Sequence, residues 1–253
     1  MMKHLEVLFT PADFEALAQR DLRNTVCVVF DVLRATSSMV AALGNGAAAL
    51  LPVETIPEAL AARQRQPDVL LAGERDGVRI RAELSGGVEF DLGNSPREFT
   101  RERVAGRTIA MTTTNGTRAL RCCAAARIIL ASSFLNLGAT AGFIEREQPA
   151  RLLVVCSGTF EEAALEDVLG AGALCELLWK SYGTGAVTDS AQMAHSLFML
   201  ERGNLAQAFA RSRNGRRLLS RSELRDDVAF CLQRDSVPLV ATLDGLGYVR
   251  RTG

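Results

Sequence analysis

One pattern, an apolar run that leads through a polar loop into a helix of small residues, occurs twice in this chain and constrains its fold most strongly. Val26 to Phe30 (VCVVF) runs into DVLRATSS, and Arg107 to Met111 (RTIAM) runs into TTTNGTRAL. The two copies are in near register, because Asp31 and Thr112 are 81 positions apart. Strands that are apolar throughout and are followed by helices are typical of a largely parallel sheet covered on both faces.

Each copy continues into a further apolar run, at Ala48 to Val53 and at Arg127 to Ala131, which predicts a βαβ unit each time. A third strand, Arg151 to Val155, leads into a segment whose Glu161 to Trp179 portion predicts one long helix. We therefore expect an α/β protein with a largely parallel or mixed sheet, built from repeated strand-loop-helix units. No linker rich in Pro, Gly or Ser divides the chain, so 1–253 is expected to be a single unit, with two intimate, similar lobes of about 1–105 and 106–253 as an alternative.

The charge balance limits the kind of partner. Lys and Arg number 29 together, as do Asp and Glu, so no basic field favours nucleic acid and no polybasic tail favours anionic lipid. A small-molecule partner is expected instead. Lys3, Glu6 and Asp13 interrupt the segment that would form the apolar part of a signal peptide, and no run is long enough to span a bilayer. We expect a cytoplasmic enzyme without a membrane partner, and a homo-oligomer only because such assemblies are common among soluble enzymes.

The residue types favour oxygen chemistry. The only histidines are His4 and His195, and none of the six cysteines is spaced Cys-x-x-Cys. The sequence therefore offers few ligands for a zinc site built from cysteine and histidine. The sequence also lacks a nucleotide phosphate loop, a Gly-x-Ser-x-Gly elbow, the paired aspartates of haloacid-dehalogenase phosphatases and the loop of cysteine phosphatases. Carboxylates, arginines and hydroxyls remain, and these suit oxygen-liganded Mg²⁺ and phosphoryl transfer.

The loop from Thr112 to Arg118 is the strongest candidate for a phosphate site. It combines hydroxyls, a glycine that lets backbone N–H groups approach a ligand, a predicted helix N-terminus and a guanidinium. The competing interpretation is a helix-capping loop with an arginine on the surface. Four threonines within six residues exceed what a cap needs, which favours phosphate binding.

Acidic residues next to other predicted strands are candidate metal or substrate ligands. Asp31 follows the first strand and precedes Arg34, where the alternative is a helix cap paired with a surface arginine. Glu74 and Arg75 open an excursion from Gly73 to Pro96 that ends in Asn94-Ser95-Pro96-Arg97, and ordinary turn chemistry is the alternative there.

Two later segments supply further acids and bases. Glu166 and Asp167 lie in the predicted long helix, where neighbouring side chains point about 100° apart, so we favour Asp167 as a ligand and Glu166 as its support or substitute. Asp227 is a further acid for which a helix cap is the competing interpretation. The basic stretch from Arg211 to Arg221 is interpreted as a solvated helix face.

These motifs, in this order, resemble those of the 2-phosphosulfolactate phosphatase family. The matching stretches, from about Val26 to Pro238, are FDVLRATSS, AGERDG, LGNSPREF, TTTNGTRAL, CSGTFEE with LEDVLGAGAL, and DDVAFC with DSVP. The resemblance implies a three-layer α/β/α fold with its site in a cleft, and a Mg²⁺-dependent acid phosphatase that converts 2-phospho-3-sulfolactate to sulfolactate and phosphate, a step toward coenzyme M. A phosphatase for another small anionic phosphate ester, or a non-catalytic sensor of an anionic metabolite, are the alternatives.

The matching positions give a candidate site. The expected catalytic residues are Asp31, Arg34 and Arg118. The expected substrate or phosphate ligands are Thr36, Arg75, Asn94, Ser95, Thr113, Thr114, Asn115, Gly116 and Thr117. The Mg²⁺ ligand candidates are Asp31, Glu74, Asp167 and Asp227, with Asp31 and Asp167 preferred. One departure is Asn214-Gly215, where the family often carries His-Gly, so a role of that histidine in substrate binding or proton transfer would be altered here.

Overall fold

Residues 2–252 are described by a computed structural model, so Met1 and Gly253, the ends of the predicted range 1–253, lie outside the described residues. The strands of the described part are, in chain order, β1 (His4–Leu8), β2 (Thr25–Phe30), β3 (Ala49–Val53), β4 (Leu70–Arg75), β5 (Val78–Arg79), β6 (Thr108–Thr112), β7 (Ile128–Ser132), β8 (Arg151–Cys156), β9 (Ala186–Val187), β10 (Val240–Leu243) and β11 (Val249–Thr252). The helices are α1 (Pro11–Glu15), α2 (Ala35–Gly44), α3 (Ile56–Arg65), α4 (Ala82–Ser85), α5 (Arg101–Val104), α6 (Gly116–Cys122), α7 (Leu137–Glu147), α8 (Leu165–Tyr182), α9 (Asp189–Glu201), α10 (Leu205–Arg211), α11 (Arg213–Leu219) and α12 (Arg225–Cys231).

The strands form one mixed sheet in the order β5-β4-β6-β3-β11-β10-β7-β2-β8-β1-β9. Five neighbours, β9, β1, β8, β2 and β7, are mutually parallel and form one block, and β3, β6 and β4 form a second parallel block. The antiparallel strands β10 and β11 lie between the blocks, so the blocks run in opposite directions. Each block takes strands from both 1–105 and 106–253, and so the blocks do not coincide with those ranges.

Apolar side chains cover both faces of the central strands, which makes the fold three-layered. In β2, Val26, Val28 and Phe30 enter one hydrophobic core, whereas Cys27 and Val29 enter a second core on the opposite face. Helix α8 packs in the first core and α2 in the second. The predicted α/β fold with a mixed sheet and helices on both faces is therefore confirmed.

The two predicted βαβ units are wrong in their pairing. Strand β2 is not a neighbour of β3 but pairs in parallel with β7, and β3 pairs in parallel with β6. The two sequence repeats thus exchange strands, and β2-α2-β3 and β6-α6-β7 each cross from one block to the other. Periodicity could not reveal this, because a strand that is apolar on both faces specifies burial without specifying its neighbour.

The loops after β2 and β6 meet although the two strands are five steps apart in the sheet. A Cβ atom placed on Gly116, the first residue of α6, would lie 2.6 Å from Ala35 Cβ, at the start of α2. The starts of α2 and α6 therefore lie against each other.

The long helix begins later than its apolar pattern predicts. Helix α8 starts at Leu165, because Thr159 and Glu162 pair through two backbone hydrogen bonds in a tight turn. Phe160 within that turn has a φ of 53°, in the left-handed region. The prediction of helix from Glu161 is therefore wrong for its first turn. No helix within residues 2–252 is both long and apolar enough to cross a membrane.

Candidate active site

A small polar cavity lies where the loops after β2, β4, β6 and β8 meet. Its volume is about 30 Å³, enough for about two waters. Asp31 comes from the loop after β2, Glu74 from the end of β4, and Thr114 and Asn115 from the loop after β6. The structure therefore gathers candidates from three separate motifs around one cavity, including two of the proposed metal ligands.

Asp31 is fixed by the start of α2 and by the close approach of α6. Its Oδ1 accepts a hydrogen bond from the Ala35 N–H at 3.0 Å. A Cβ atom placed on Gly116 would lie 2.4 Å from Asp31 Oδ2, so only glycine allows α6 to approach this closely. Thr36 Oγ1 bonds the Asp31 backbone N–H and C=O, at 3.0 and 2.9 Å, and so stabilises the loop.

Glu74 links the end of β4 to the loop after β6. Its Oε1 accepts hydrogen bonds from both the N–H and the hydroxyl of Thr114, each at 2.8 Å. Its Oε2 accepts the Gly77 N–H at 2.7 Å. The buried carboxylate is thus satisfied by three donors, with its Oε1 on the side of the loop after β6.

Asp167 and Glu166 lie side by side in the first turn of α8 and have different environments. Asp167 accepts the Val32 N–H at 2.7 Å and the Ser157 hydroxyl and Gly158 N–H at 3.1 Å each, so it joins the loops after β2 and β8. Glu166 Oε1 accepts from Asn214 Nδ2 at 2.5 Å, whereas its buried Oε2 has no partner.

These carboxylates raise one another's proton affinity. Burial, reinforced by the charges of Glu74 and Glu166, raises the pKa of Asp31 to about 6 from its ordinary value of 3.8. Burial, followed by the charges of Asp31 and Glu166, raises the pKa of Asp167 well above its ordinary value. The site therefore takes up positive charge, as protons or as a bound cation, more readily than isolated carboxylates do.

Arg34 and Asp227 form a buried ion pair beside the cavity. Arg34 Nη1 donates to Asp227 Oδ2 at 2.6 Å, and their side chains are 2% and 0% exposed. Arg34 Nη2 donates to the Gly77 carbonyl at 2.7 Å, and the Ser95 hydroxyl donates to Asp227 Oδ1 at 2.7 Å. Both Asp227 oxygens are therefore engaged by protein donors.

The remaining predicted phosphate ligands of the loop after β6 serve mainly to hold the loop. Thr113 and Thr117 each accept the other's backbone N–H through a hydroxyl, at 3.2 and 3.4 Å. Asn115 donates to the Phe160 carbonyl at 2.9 Å and thereby ties this loop to the turn before α8.

Two predicted arginines lie outside the cavity lining. Arg118 is half-exposed and pairs with Glu15 and with Glu161, neither of which lines the cavity. Arg75 donates to the Glu74 carbonyl and to the Thr112 hydroxyl, at 2.6 and 3.0 Å, and burial lowers its pKa. Asn94, in contrast, lines the cavity with a buried Oδ1 that has no partner.

Sequence reasoning missed Arg217, and it noted Asn214 only as a departure from the family pattern, because the stretch that contains both was interpreted as a solvated face. Asn214 is buried and donates to Thr159 Oγ1 at 2.6 Å as well as to Glu166. The two residues are three positions apart on α11 and therefore share a face with each other. The sequence signal for a buried face of α11 was this spacing of Asn214 and Arg217 next to Leu218, which is buried in the structure.

The fold and site together define a class: an α/β enzyme with an acidic, oxygen-lined site at the ends of parallel strands. A family model described as 2-phosphosulpholactate phosphatase matches residues 12–245. The chain belongs to this family, and the resemblance of its motifs is confirmed. The class of reaction is hydrolysis of a phosphoric monoester.

Curated relatives agree over most of their length. Three proteins, each named "Probable 2-phosphosulfolactate phosphatase", illustrate this. That of Caldicellulosiruptor saccharolyticus is 34% identical over 243 residues, which cover 94% of this chain and 97% of that protein. That of Thermotoga petrophila is 39% identical over 216 residues, covering 85% and 88%. That of Deinococcus radiodurans is 40% identical over 219 residues, covering 86% and 87%.

Proposed function

We propose that this protein hydrolyses 2-phospho-3-sulfolactate to sulfolactate and inorganic phosphate in the cytoplasm, as a step toward coenzyme M, with Mg²⁺ as its cofactor. The observation that carries the substrate is the shared name of relatives that align along almost the whole chain. The cavity geometry supports the reaction class, because carboxylates, hydroxyls and a helix start meet at one point.

The residues present fit a hard divalent cation. Asp31 and Glu74 supply carboxylate oxygens to the cavity, and the buried Glu166 Oε2 behind Asn214 has no hydrogen-bond partner. Within residues 2–252, no three His, Cys, Asp or Glu side chains are grouped so that they could hold a metal ion together. Mg²⁺ usually takes only one or two protein carboxylates and keeps several waters, so this donor set suits it.

We assign Asp31 as the first ligand and Glu74 as the second, because these two carboxylates line the cavity whereas those of Asp167 and Asp227 do not. Each oxygen of Asp167 and Asp227 is also engaged by at least one protein donor. Asp167 then acts by holding the loops after β2 and β8, and Asp227 by holding Arg34. When bound, Mg²⁺ would supply charge neutralisation for the phosphoryl oxygens.

In the reaction, water attacks phosphorus, the phosphorus–oxygen bond to the three-carbon unit breaks, and the departing oxygen is protonated. The chain's own residues bind and orient the phosphoryl group for this direct attack. Thr114 and Asn115 are placed beside Asp31 at the start of α6, with the helix N-terminus of α2 adding a favourable field for an anion.

We expect activity to depend on a hard cation. Treatment with EDTA should abolish phosphate release from p-nitrophenyl phosphate, and added Mg²⁺ should restore it, because the buried carboxylates otherwise repel the substrate's negative charge. Mg²⁺ should also raise the melting temperature of the wild type, since it binds only the folded site.

The same assay separates an enzyme from a metabolite sensor, because a sensor releases no phosphate from any ester. Full activity in excess EDTA would eliminate the cation from the mechanism. The matched control is Asp76→Asn, an exposed aspartate in the turn after Glu74, which should keep the Mg²⁺ response of the wild type.

A further inference from the structure

Unpartnered buried polar atoms are concentrated at this one site. Within residues 2–252, the buried side-chain atoms without a hydrogen-bond partner are Asn94 Oδ1, Glu166 Oε2 and Arg217 Nε. Asn94 and Arg217 line the cavity, and Glu166 is bonded to Asn214, which also lines it. Leaving such groups unpaired destabilises the folded protein, so their concentration around one cavity indicates groups that await a ligand.

Arg217 is the uncommitted positive charge of the cavity. Two arginines line it, and Arg34 is already neutralised by Asp227 at 2.6 Å. Arg217, by contrast, has no carboxylate oxygen within 4.0 Å among the described residues. Its side chain makes a single hydrogen bond, from Nη2 to Asn214 Oδ1 at 3.3 Å, which is long for a charged donor.

The position of the Arg217 guanidinium is set by its surroundings. Helix α11 is capped by Ser212 Oγ, which accepts the Gly215 N–H at 2.9 Å, and is anchored by buried Leu218. The guanidinium lies against Gly77, where a Cβ would be 3.6 Å from Arg217 Cζ. Gly77 also bonds Glu74 and Arg34, so the guanidinium rests on the turn that connects the acidic and basic parts of the site.

We infer that Arg217 binds the phosphoryl group that is transferred, as a catalytic residue supplied by α11. This inference rests on the proposed function. Arg217 lines the same small cavity as Asp31 and Thr114. The anionic group of the substrate that contacts the guanidinium is therefore the one that lies next to the proposed cation. Its planar donors match phosphate oxygens, and they would strengthen their contact as charge develops during transfer.

The test compares Arg217→Met and Arg217→Lys with the wild type, using p-nitrophenyl phosphate, whose only anionic group is the phosphoryl group. We expect kcat/KM to fall about a hundredfold or more in Arg217→Met, with partial activity in Arg217→Lys. Added guanidinium ion should restore part of the activity of Arg217→Met. The matched control is Arg216→Met, which removes an exposed guanidinium from the neighbouring position of the same helix, where it bonds the Arg211 carbonyl.

Several outcomes would overturn the inference. One is a normal kcat/KM for p-nitrophenyl phosphate in a folded Arg217→Met variant. Another is a loss confined to 2-phospho-3-sulfolactate, since that would place Arg217 on the carboxylate or sulfonate instead. Calorimetry of inorganic phosphate with Mg²⁺ present keeps the inference testable even if the wild type hydrolyses no ester. In that case the proposed function fails, and weaker phosphate binding by Arg217→Met than by Arg216→Met would still support a phosphate-binding Arg217.

Discussion

Asp31→Asn is expected to reduce kcat/KM for phosphate ester hydrolysis by on the order of 10³-fold, which corresponds to about 4 kcal/mol of transition-state stabilisation. The substitution keeps the Oδ1 acceptor for the Ala35 N–H and the shape that Gly116 accommodates. It removes the charge that we assign to cation binding. The variant should therefore fold, and it should lose most of the melting-temperature increase that Mg²⁺ gives the wild type.

The stability of the wild type relative to this variant, measured without Mg²⁺, should depend on pH in a defined direction. Because folding raises the pKa of Asp31 from 3.8 to about 6, the folded protein binds a proton more tightly than the unfolded chain does. The stabilisation that Asp31 gives the wild type is therefore fully present below pH 3.8 and is lost as pH rises through about 6. The asparagine side chain does not ionise, so Asp31→Asn should gain in stability relative to the wild type across that interval. The control Asp76→Asn should show neither effect, and wild-type activity in Asp31→Asn would exclude Asp31 from the mechanism.

Asp227→Ala should lower the free energy of unfolding by about 3–5 kcal/mol, because it would leave the Arg34 guanidinium buried without its counter-charge. The pair is almost fully inaccessible, and it connects α12 with the loop after β2. Asp227 also holds Ser95, and Arg34 holds the Gly77 carbonyl, so four segments around the cavity depend on the pair. Urea unfolding at neutral pH measures this loss directly.

Two further variants test whether the stability lost in Asp227→Ala comes from the broken ion pair or from a change in helix α12 itself. Asp226→Ala alters the adjacent carboxylate, which is mostly exposed and contacts Arg97 only at 3.5 Å, and it should change stability by less than about 0.5 kcal/mol. The double variant Arg34→Met with Asp227→Leu should recover much of the lost stability, since no unpaired charge remains buried. A cost below about 1 kcal/mol for Asp227→Ala would contradict the view that this pair holds the site together.

Local patterns in the sequence were sufficient for the fold class. The apolar runs at β2, β6 and β8 and the small-residue helices after them are strong local signals, and the structure contains them. Strand pairing was not predictable in the same way. The exchange that places β2 beside β7 and β3 beside β6 depends on contacts between distant segments, which a hydrophobic period does not encode.

The candidate site could be predicted only in part, for a similar reason. Asp31 and Thr114 closely follow strands and Glu74 lies at the end of one, so the rule that ligands collect at strand ends identifies them. Arg217 comes from α11 and reaches the cavity only through tertiary packing, and a basic stretch in isolation is more often solvated. The ion pair between Asp227 and Arg34 was likewise not predictable from the sequence, because 193 positions separate the two residues.

The most direct test of the proposed function is phosphate release by the purified protein with Mg²⁺, compared between 2-phospho-3-sulfolactate and 2-phospholactate, which lacks only the sulfonate. We predict hydrolysis of 2-phospho-3-sulfolactate with a kcat/KM of about 10⁴ M⁻¹s⁻¹ or more, the lower part of the range typical of enzymes on their own substrates, and a much lower value for 2-phospholactate. Phosphate release from 2-phospho-3-sulfolactate that is no faster than in an enzyme-free blank, or no faster than from 2-phospholactate, would contradict the proposal.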